Sequence, residues 1–236
     1  MATLFVVGTP IGNLEDVTLR ALRILKEVDV ILCEDTRVTK RLLQKYEIIA
    51  KQLATYNEQE SGVTAQKIID WLEEGKNVAL VSDAGTPGIS DPGALIAREI
   101  RAHFAFSTSD VKEWRCGIVR IESVPGPSAL TAALSIAGVP VHDFVFLGFL
   151  PHKKGRETLF KEIAGSERTS VFYESPHRIL KTLESLQKFA PAKKITIARE
   201  LTKLHEQVIS GTAEELLTYF ETNPDKVRGE FVVVVS

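Results

Sequence analysis

Residues 78 to 93 read VALVSDAGTPGISDPG, and the fold is decided at the junction inside them. Val78 to Val81 is an apolar run with the pattern of a strand buried on both faces. The positions that follow hold Gly85, Gly88, Gly93, Pro87, Pro92, Asp83 and Asp91, residue types that expose backbone and break regular structure. Leu95, Ile96 and Ile100 then suggest a helix. A core strand, a long shaped loop and a helix in that order place the loop beyond the carboxyl end of the strand, where open α/β sheets bind ligands.

The same alternation extends in both directions. Leu4 to Val7 reads as a buried strand; after GTPIGN, the residues Val17, Ala21, Ile24, Leu25 and Val28 recur at helical spacing. Val30 to Cys33 is a second strand, followed by a helical pattern through Leu42 and Leu43. Lys51 to Thr55 reads as a third strand and Thr64 to Leu72 as a helix. Alternating strands and helices predict a parallel sheet with helices on its faces. From His103 to Cys116 neither period fits, and an irregular excursion or hairpin is expected before the strand Ile118 to Val124. The turn VPGPS and a small-residue helix ending at Gly138 and Pro140 then mark a boundary. Beyond it, strands are expected at Phe144–Phe149, Val171–Tyr173, Ile195–Ala198, Gln207–Ser210 and Phe231–Val235, with helices at Thr158–Ile163, Arg178–Phe189 and Glu214–Phe220. The expected organisation is two α/β domains, residues 1–124 and 125–236, with a cleft between them.

Composition excludes several classes. With 44% hydrophobic and 25% charged residues the chain has the make-up of a globular protein, which sets disorder aside. The net charge of -2 advertises no global attraction to nucleic acid, although a local patch depends on distribution and not on the sum. Cys33 and Cys116 form no CxxC pair and have no His-rich neighbour, so neither a disulfide framework nor a zinc site is expected, and a reducing cytoplasm is. The start MATLFVVGTP has no basic leader. No stretch approaches the roughly 20 apolar residues of a membrane helix.

Several strand ends carry residues suited to chemistry. GTPIGN, Gly8 to Asn13, offers close backbone approach and a helix amino terminus, but it departs from GxGxxG, and no GxxxxGK[ST] loop occurs. Glu34 and Asp35 suit either a ribose or a helix cap. GFLPHKKGR, FYESPHR and ARELTKLHE each end an apolar run in polar groups. Lys153, Lys154 and Arg156 are the densest basic group, and their place at a helix start, where the macrodipole disfavours cations, favours a phosphate-bearing partner. His152, His177 and His205 lack metal-site spacing. Ser128 lies outside a GxSxG elbow, which points to a cap or a ligand hydrogen bond before a nucleophile.

Taken in order, VGTPIGN, CEDTR, VSDAGTPGISDPG, VPGPSAL, GFLPHKKGR, FYESPHR, ARELTK and GEFVVVV resemble the tetrapyrrole methylase superfamily over nearly the whole chain. SDAGTP and FYESPHR resemble, within it, the branch that methylates a cytidine 2'-oxygen in the decoding region of bacterial 16S rRNA. The resemblance implies two α/β domains, a homodimer, and S-adenosylmethionine in the cleft between the domains. It implies cofactor contacts from Pro10, Ile11, Asp83, Gly85, Thr86, Ile89, Ser128 and Ala129, and from Tyr173, Ala198, Arg199 and Gly229. A ribose hydroxyl needs somewhere to send its proton, so Asp83, Glu174 and Glu200 are the candidate catalytic acceptors. Arg37, Lys40, Lys153, Lys154, Arg156, Arg178 and Lys203 are the candidates for gripping RNA phosphates.

The excursion from His103 to Cys116 is longer than the family pattern, which suggests an arm toward RNA or a dimer partner. The sequence given stops at Ser236, so RNA affinity supplied by a carboxyl-terminal extension is not assumed. Two rivals stand beside this reading. A methyltransferase for a tetrapyrrole or other small acceptor would present an apolar acceptor side, and a non-enzymatic binding protein would hold the cofactor without transferring its methyl group.

Overall fold

In the computed structural model, which describes residues 1–56, 61–91, 93–104 and 119–236, ten strands form two sheets of five. The chain divides into two compact units, Met1–Ser128 and Ala129–Ser236. In the first, β1 (Ala2–Val7), β2 (Val30–Cys33), β3 (Leu53–Thr55), β4 (Val78–Val81) and β5 (Val119–Val124) lie in the order β3-β2-β4-β1-β5, every pair parallel. Helices α1 (Leu19–Glu27), α2 (Thr36–Lys45), α3 (Ser61–Glu73) and α4 (Gly93–Phe104) cover both faces.

The period of two along each strand divides its side chains between two cores. Val78 and Leu80 join Ile68, Ile69 and Leu72 of α3 and Ile96 and Ile100 of α4. Ala79 and Val81 join Ala21, Ile24 and Leu25 of α1 and Leu42 and Leu43 of α2. Burial on both sides explains why β4 is apolar throughout and not alternating. The neighbours β1 and β4 therefore send their following helices, α1 and α4, to opposite faces of the sheet. Such a reversal opens a crevice at the carboxyl ends of the two strands.

Helix α1 begins two residues later than the apolar spacing from Val17 suggests. The Thr18 hydroxyl accepts the Ala21 N–H at 3.1 Å and caps the helix there, leaving Val17 extended. A short 3-10 turn, Leu14–Asp16, fills the gap. His103 and Phe104 fall inside α4, with His103 paired to Glu73 at 3.1 Å; residues 105–116 of the expected excursion lie outside the described residues.

In the second unit, β6 (Phe144–Phe149), β7 (Thr169–Glu174), β8 (Ile195–Arg199), β9 (Gln207–Gly211) and β10 (Phe231–Val235) take the order β6-β7-β10-β8-β9. This sheet is mixed: β6 and β7 are parallel, whereas β10 runs against β7 and β8, and β9 against β8. Helices α6 (Arg156–Gly165), α7 (Ile179–Phe189) and α8 (Ala213–Thr222) cover one face, packing Phe160, Leu183, Leu186 and Phe220 on Phe172, Ile197, Phe231 and Val233. On the other face, α5 (Ala129–Ile136) is held by the Tyr173 hydroxyl, which accepts the Leu130 N–H at 3.2 Å and so satisfies one of the helix's orphan donors.

The ends of β1 and β5 approach more closely than side chains permit. A Cβ on Gly8 would stand 2.8 Å from the Gly126 backbone, and one on Gly126 would stand 2.7 Å from the Gly8 carbonyl oxygen. Backbone cannot swing aside as a flexible side chain can. Gly8→Ala is expected to lower the unfolding free energy by about 2–3 kcal/mol, measured by urea denaturation. Gly62→Ala is the control: its added methyl meets nothing within 4 Å on a helix, and it should leave stability unchanged or raised.

Candidate active site

At the switch point of the first sheet the strand-end loops are tied to one another. Thr9 and Gly85 exchange two backbone hydrogen bonds, at 2.9 and 3.1 Å, joining the loops after β1 and β4. The Thr86 hydroxyl donates to the Pro127 carbonyl at 3.3 Å, bringing in the loop after β5. Asp91 accepts the N–H groups of Gly88 and Gly93, each at 2.7 Å, and closes the far end of the β4 loop onto α4. Pro10 and Ile11 are buried beneath this arrangement, while Asp83 and Ile89 are exposed.

The loop after β2 is braced reciprocally against the loop after β4. Glu34 Oε1 accepts the Asp83 N–H at 3.2 Å, and Asp83 Oδ1 accepts the Asp35 N–H at 2.9 Å. Tyr56, directly after β3, donates its hydroxyl to the Val81 carbonyl at 3.2 Å and stands 3.4 Å from Glu34 Oε1. Burial pushes the Glu34 carboxyl above its ordinary range, and the Asp91 and Asp83 charges push it further, against the Asp83 N–H and the Tyr56 hydroxyl, which lower it. Asp35 behaves oppositely: the Arg37 guanidinium and N–H hold its carboxyl down at about 2. Asp35 accordingly caps α2, accepting the Arg37 N–H at 2.8 Å.

In the second unit the residues singled out from the sequence gather along one edge of the sheet. Phe231 pairs with both Glu174 and Arg199, and Arg199 pairs with Gln207, so the ends of β7 and β8 lie beside the starts of β9 and β10. Glu174 is 1% exposed. Its carboxylate accepts from the Ser175 N–H at 2.9 Å and the Thr182 hydroxyl at 2.6 Å, with Arg178 at 3.3 Å and Arg156 at 3.9 Å. Both guanidinium groups also donate to backbone: Arg156 to the Pro151 carbonyl, Arg178 to that of Leu150. Glu200 carries a backbone φ of 52°, and a Cβ on Gly229 would stand 2.2 Å from its carboxylate. Burial pushes the Glu200 carboxyl up, but the Lys203 ammonium at 2.8 Å and the Glu230 N–H outweigh it and leave it below its ordinary value. Arg199 is buried and donates to the carbonyls of Arg228 and His205, while its Nε has no hydrogen-bond partner among the described residues.

The basic candidates separate into two groups. Arg156, Arg178 and Lys203 are engaged by carboxylates, Lys203 by both Glu200 and Glu230. Arg37 has 86% of its side chain exposed but is held by Asp35. Lys40, Lys153 and Lys154 are exposed, and among the described residues none of them forms an ion pair. Tyr56 went unnoticed in the sequence; the available signal was a phenol at the end of a strand that neighbours the one ending in Glu34.

The family described as Tetrapyrrole (Corrin/Porphyrin) Methylases matches residues 3–217. The chain belongs to the tetrapyrrole methylase family. Among curated relatives within reach of this family member, one from Thermotoga maritima named Ribosomal RNA small subunit methyltransferase I is 46% identical, covering 100% of this chain and 99% of the relative. Proteins of the same name from a Hydrogenobaculum species and from Bacillus subtilis are 44% and 41% identical, covering 95% and 75% of their own lengths. Of solved structures, the methyltransferase CobJ is 22% identical with a TM-score of 0.70 over 100% of this chain and 94% of that one. Uroporphyrin-III C-methyltransferase from Thermus thermophilus in complex with S-adenosyl homocysteine is 19% identical with a TM-score of 0.65, over 100% and 97%. At such identities the likeness is one of fold, and it is the two-part α/β fold the motifs imply.

The Glu34 carboxyl gives a pH test of the brace. Its folded-state pKa is raised, so the folded state binds the proton more tightly than the unfolded state, and stability falls as pH rises through the interval between the two values. The unfolding free energy of the wild type, relative to Glu34→Gln, is therefore expected to decline from about pH 4 upward and then level off. Paired urea titrations across that range check it.

Proposed function

We propose that this chain transfers a methyl group from S-adenosylmethionine to small-subunit ribosomal RNA, at the 2'-oxygen of a cytidine in the decoding region. The observation that carries the proposal is identity of 41–46% spanning both units with relatives named Ribosomal RNA small subunit methyltransferase I. In this reading the protein works in the cytoplasm, where its substrate is, and as a homodimer. No described helix is long and apolar enough to cross a membrane.

The residues fit such a cofactor. The β1, β4 and β5 loops are shaped in advance, so binding carries little cost of ordering them. Burial and the neighbouring charges of Asp91 and Asp83 raise the proton affinity of the Glu34 carboxyl, which marks a negative field suited to a cationic ligand. The Arg199 Nε, unpartnered among the described residues, is a buried donor for the second unit to offer. When bound, the cofactor supplies a methyl group activated by a sulfonium centre. Pro10, Ile11, Gly85, Thr86, Ile89 and Ser128 of the first unit and Ala129, Tyr173, Ala198, Arg199 and Gly229 of the second are the proposed holders.

The protein's share is to align the ribose oxygen, exclude water and accept one proton. Geometry separates the three candidate acceptors. Glu174 is the buried counter-ion of Arg156 and Arg178, and Glu200 is occupied by Lys203 and the Glu230 N–H. Asp83 is exposed and uses one oxygen on the Asp35 N–H, with no hydrogen bond to the other among the described residues. We assign proton acceptance to Asp83 and phosphate contact to Lys40, Lys153 and Lys154, with Arg37 beside them.

Labelled methyl transfer to small subunits lacking the modification, followed by nuclease mapping, is expected to place the label on the ribose of a decoding-region cytidine. Asp83→Asn should lower kcat by about 10²–10⁴-fold at saturating cofactor, with a much smaller loss of cofactor affinity from the removed charge. Absence of transfer to both subunits and free rRNA would sink the proposal. Replacing Lys153 and Lys154 together by Ala should flatten the slope of log affinity against log salt by about 1.4–1.8, read by filter binding.

A further inference from the structure

Strand β6 is out of phase with its own sequence. Residues an odd number of positions apart on a strand point to opposite faces, yet Phe146 and Phe149 both meet the ring of Tyr173 edge-on, at centroid distances of 5.0 and 5.5 Å. They do so because the register against β7 slips by one residue between them: Phe146 pairs with Val171, whereas Phe149 pairs with Tyr173. Gly148 takes a φ of 61° inside the slip, a conformation open to glycine at little cost. Bulges of this kind re-aim a side chain, and they gather beside active sites.

The side chain re-aimed here is a phenylalanine left 57% exposed. Its neighbour Tyr173 is fixed from behind by the Leu130 N–H, and it is one of the residues proposed to hold the cofactor. The loop that follows Phe149 carries Lys153 and Lys154, exposed and without ion pairs among the described residues. A fixed aromatic face beside free ammonium groups is the combination that binds unpaired nucleotides, stacking on the base and charge on the phosphates.

We infer that Phe149 is the stacking platform for the pyrimidine base of the acceptor nucleotide, with Tyr173 backing the ring and Lys153 and Lys154 taking the adjoining phosphates. The inference rests on the proposed rRNA methylation. An aromatic face that stacks on the base of an unpaired nucleotide holds its ribose in one place, which is what in-line attack by the 2'-oxygen needs.

The experiment compares Phe149→Trp, Phe149→Leu and Phe149→Ala with the wild type. Methyl transfer to unmodified small subunits, calorimetric affinity for S-adenosyl homocysteine, molar mass by light scattering and the salt slope of subunit binding are read for each. Leu and Ala are expected to lower kcat/KM by about 10–100-fold, while Trp stays within a few-fold. Cofactor affinity, molar mass and salt slope should be unchanged in all three. Full activity of Phe149→Leu would overturn the inference, since an aliphatic side chain offers no π-face. A halved molar mass would overturn it in favour of a dimer contact, and a loss of cofactor affinity in favour of a cofactor wall. A wild type inactive on subunits and free rRNA would remove the functional reading and this inference together, whereas an active wild type with an equally active Phe149→Ala would remove the platform alone.

Discussion

The contact between the backbones of Gly8 and Gly126 sets the geometry on which the first unit depends. It lets the loops leaving β1 and β5 touch where any side chain would hold them apart, and the Thr9–Gly85 bonds then draw in the loop leaving β4. Thr86 reaches Pro127 across the same junction. Glu34 and Asp83 extend the chain of contacts to β2 by exchanging side-chain acceptors for each other's loop amides. Four of five strand ends are thus fixed by bonds the protein makes to itself. A loop of three glycines and two prolines would otherwise sample many conformations, and ordering it at each turnover would weaken binding by that entropy.

The second unit solves the same problem with charge. Its sheet edge carries the Glu174–Arg156–Arg178 cluster, in which a buried carboxylate is surrounded by two guanidinium groups and two hydrogen-bond donors. Removing water from such a carboxylate is costly, so the cluster survives because every partner is present together. The consequence is functional. Arg156 and Arg178 donate to the carbonyls of Leu150 and Pro151, which hold the start of the loop carrying Lys153 and Lys154. The paired arginines shape the loop, and the unpaired lysines are what it presents.

How much of this a reader of the sequence can see differs from residue to residue. The strand–loop–helix junctions were legible because periodicity is local: Val78–Val81 is a strand in the structure to the residue, and Asp35 caps α2, as one of its two readings required. Direction in the second sheet was not legible. Phe231–Val235 reads as a buried strand whichever way it runs, and only its pairing with β7 and β8 makes it antiparallel. Charge misled in an instructive way. Arg156 at the start of α6 conflicts with the helix macrodipole, which suggested a phosphate, but the compensating anion is Glu174, carried by a strand that follows α6 in the chain. Phe149 was hidden by parity, since a one-residue slip reverses the face a strand residue occupies and no local pattern except Gly148 announces it.

Pairing also resolves how a chain of net charge -2 would hold RNA. Of the seven basic residues the motifs single out, Arg37, Arg156, Arg178 and Lys203 are engaged by carboxylates of their own unit, and Lys40, Lys153 and Lys154 have no such partner among the described residues. Three phosphate contacts give a shallow salt dependence: affinity would fall only roughly 20- to 40-fold between about 50 and 200 mM salt, against about 10³–10⁵-fold for a protein making 6–10 contacts. Electrostatics of that size assists encounter without deciding which nucleotide is methylated. Selection then falls to short-range contacts with the base and to the shape of the rRNA around it, which is the work an exposed, rigidly backed aromatic ring at the edge of the site is suited to do.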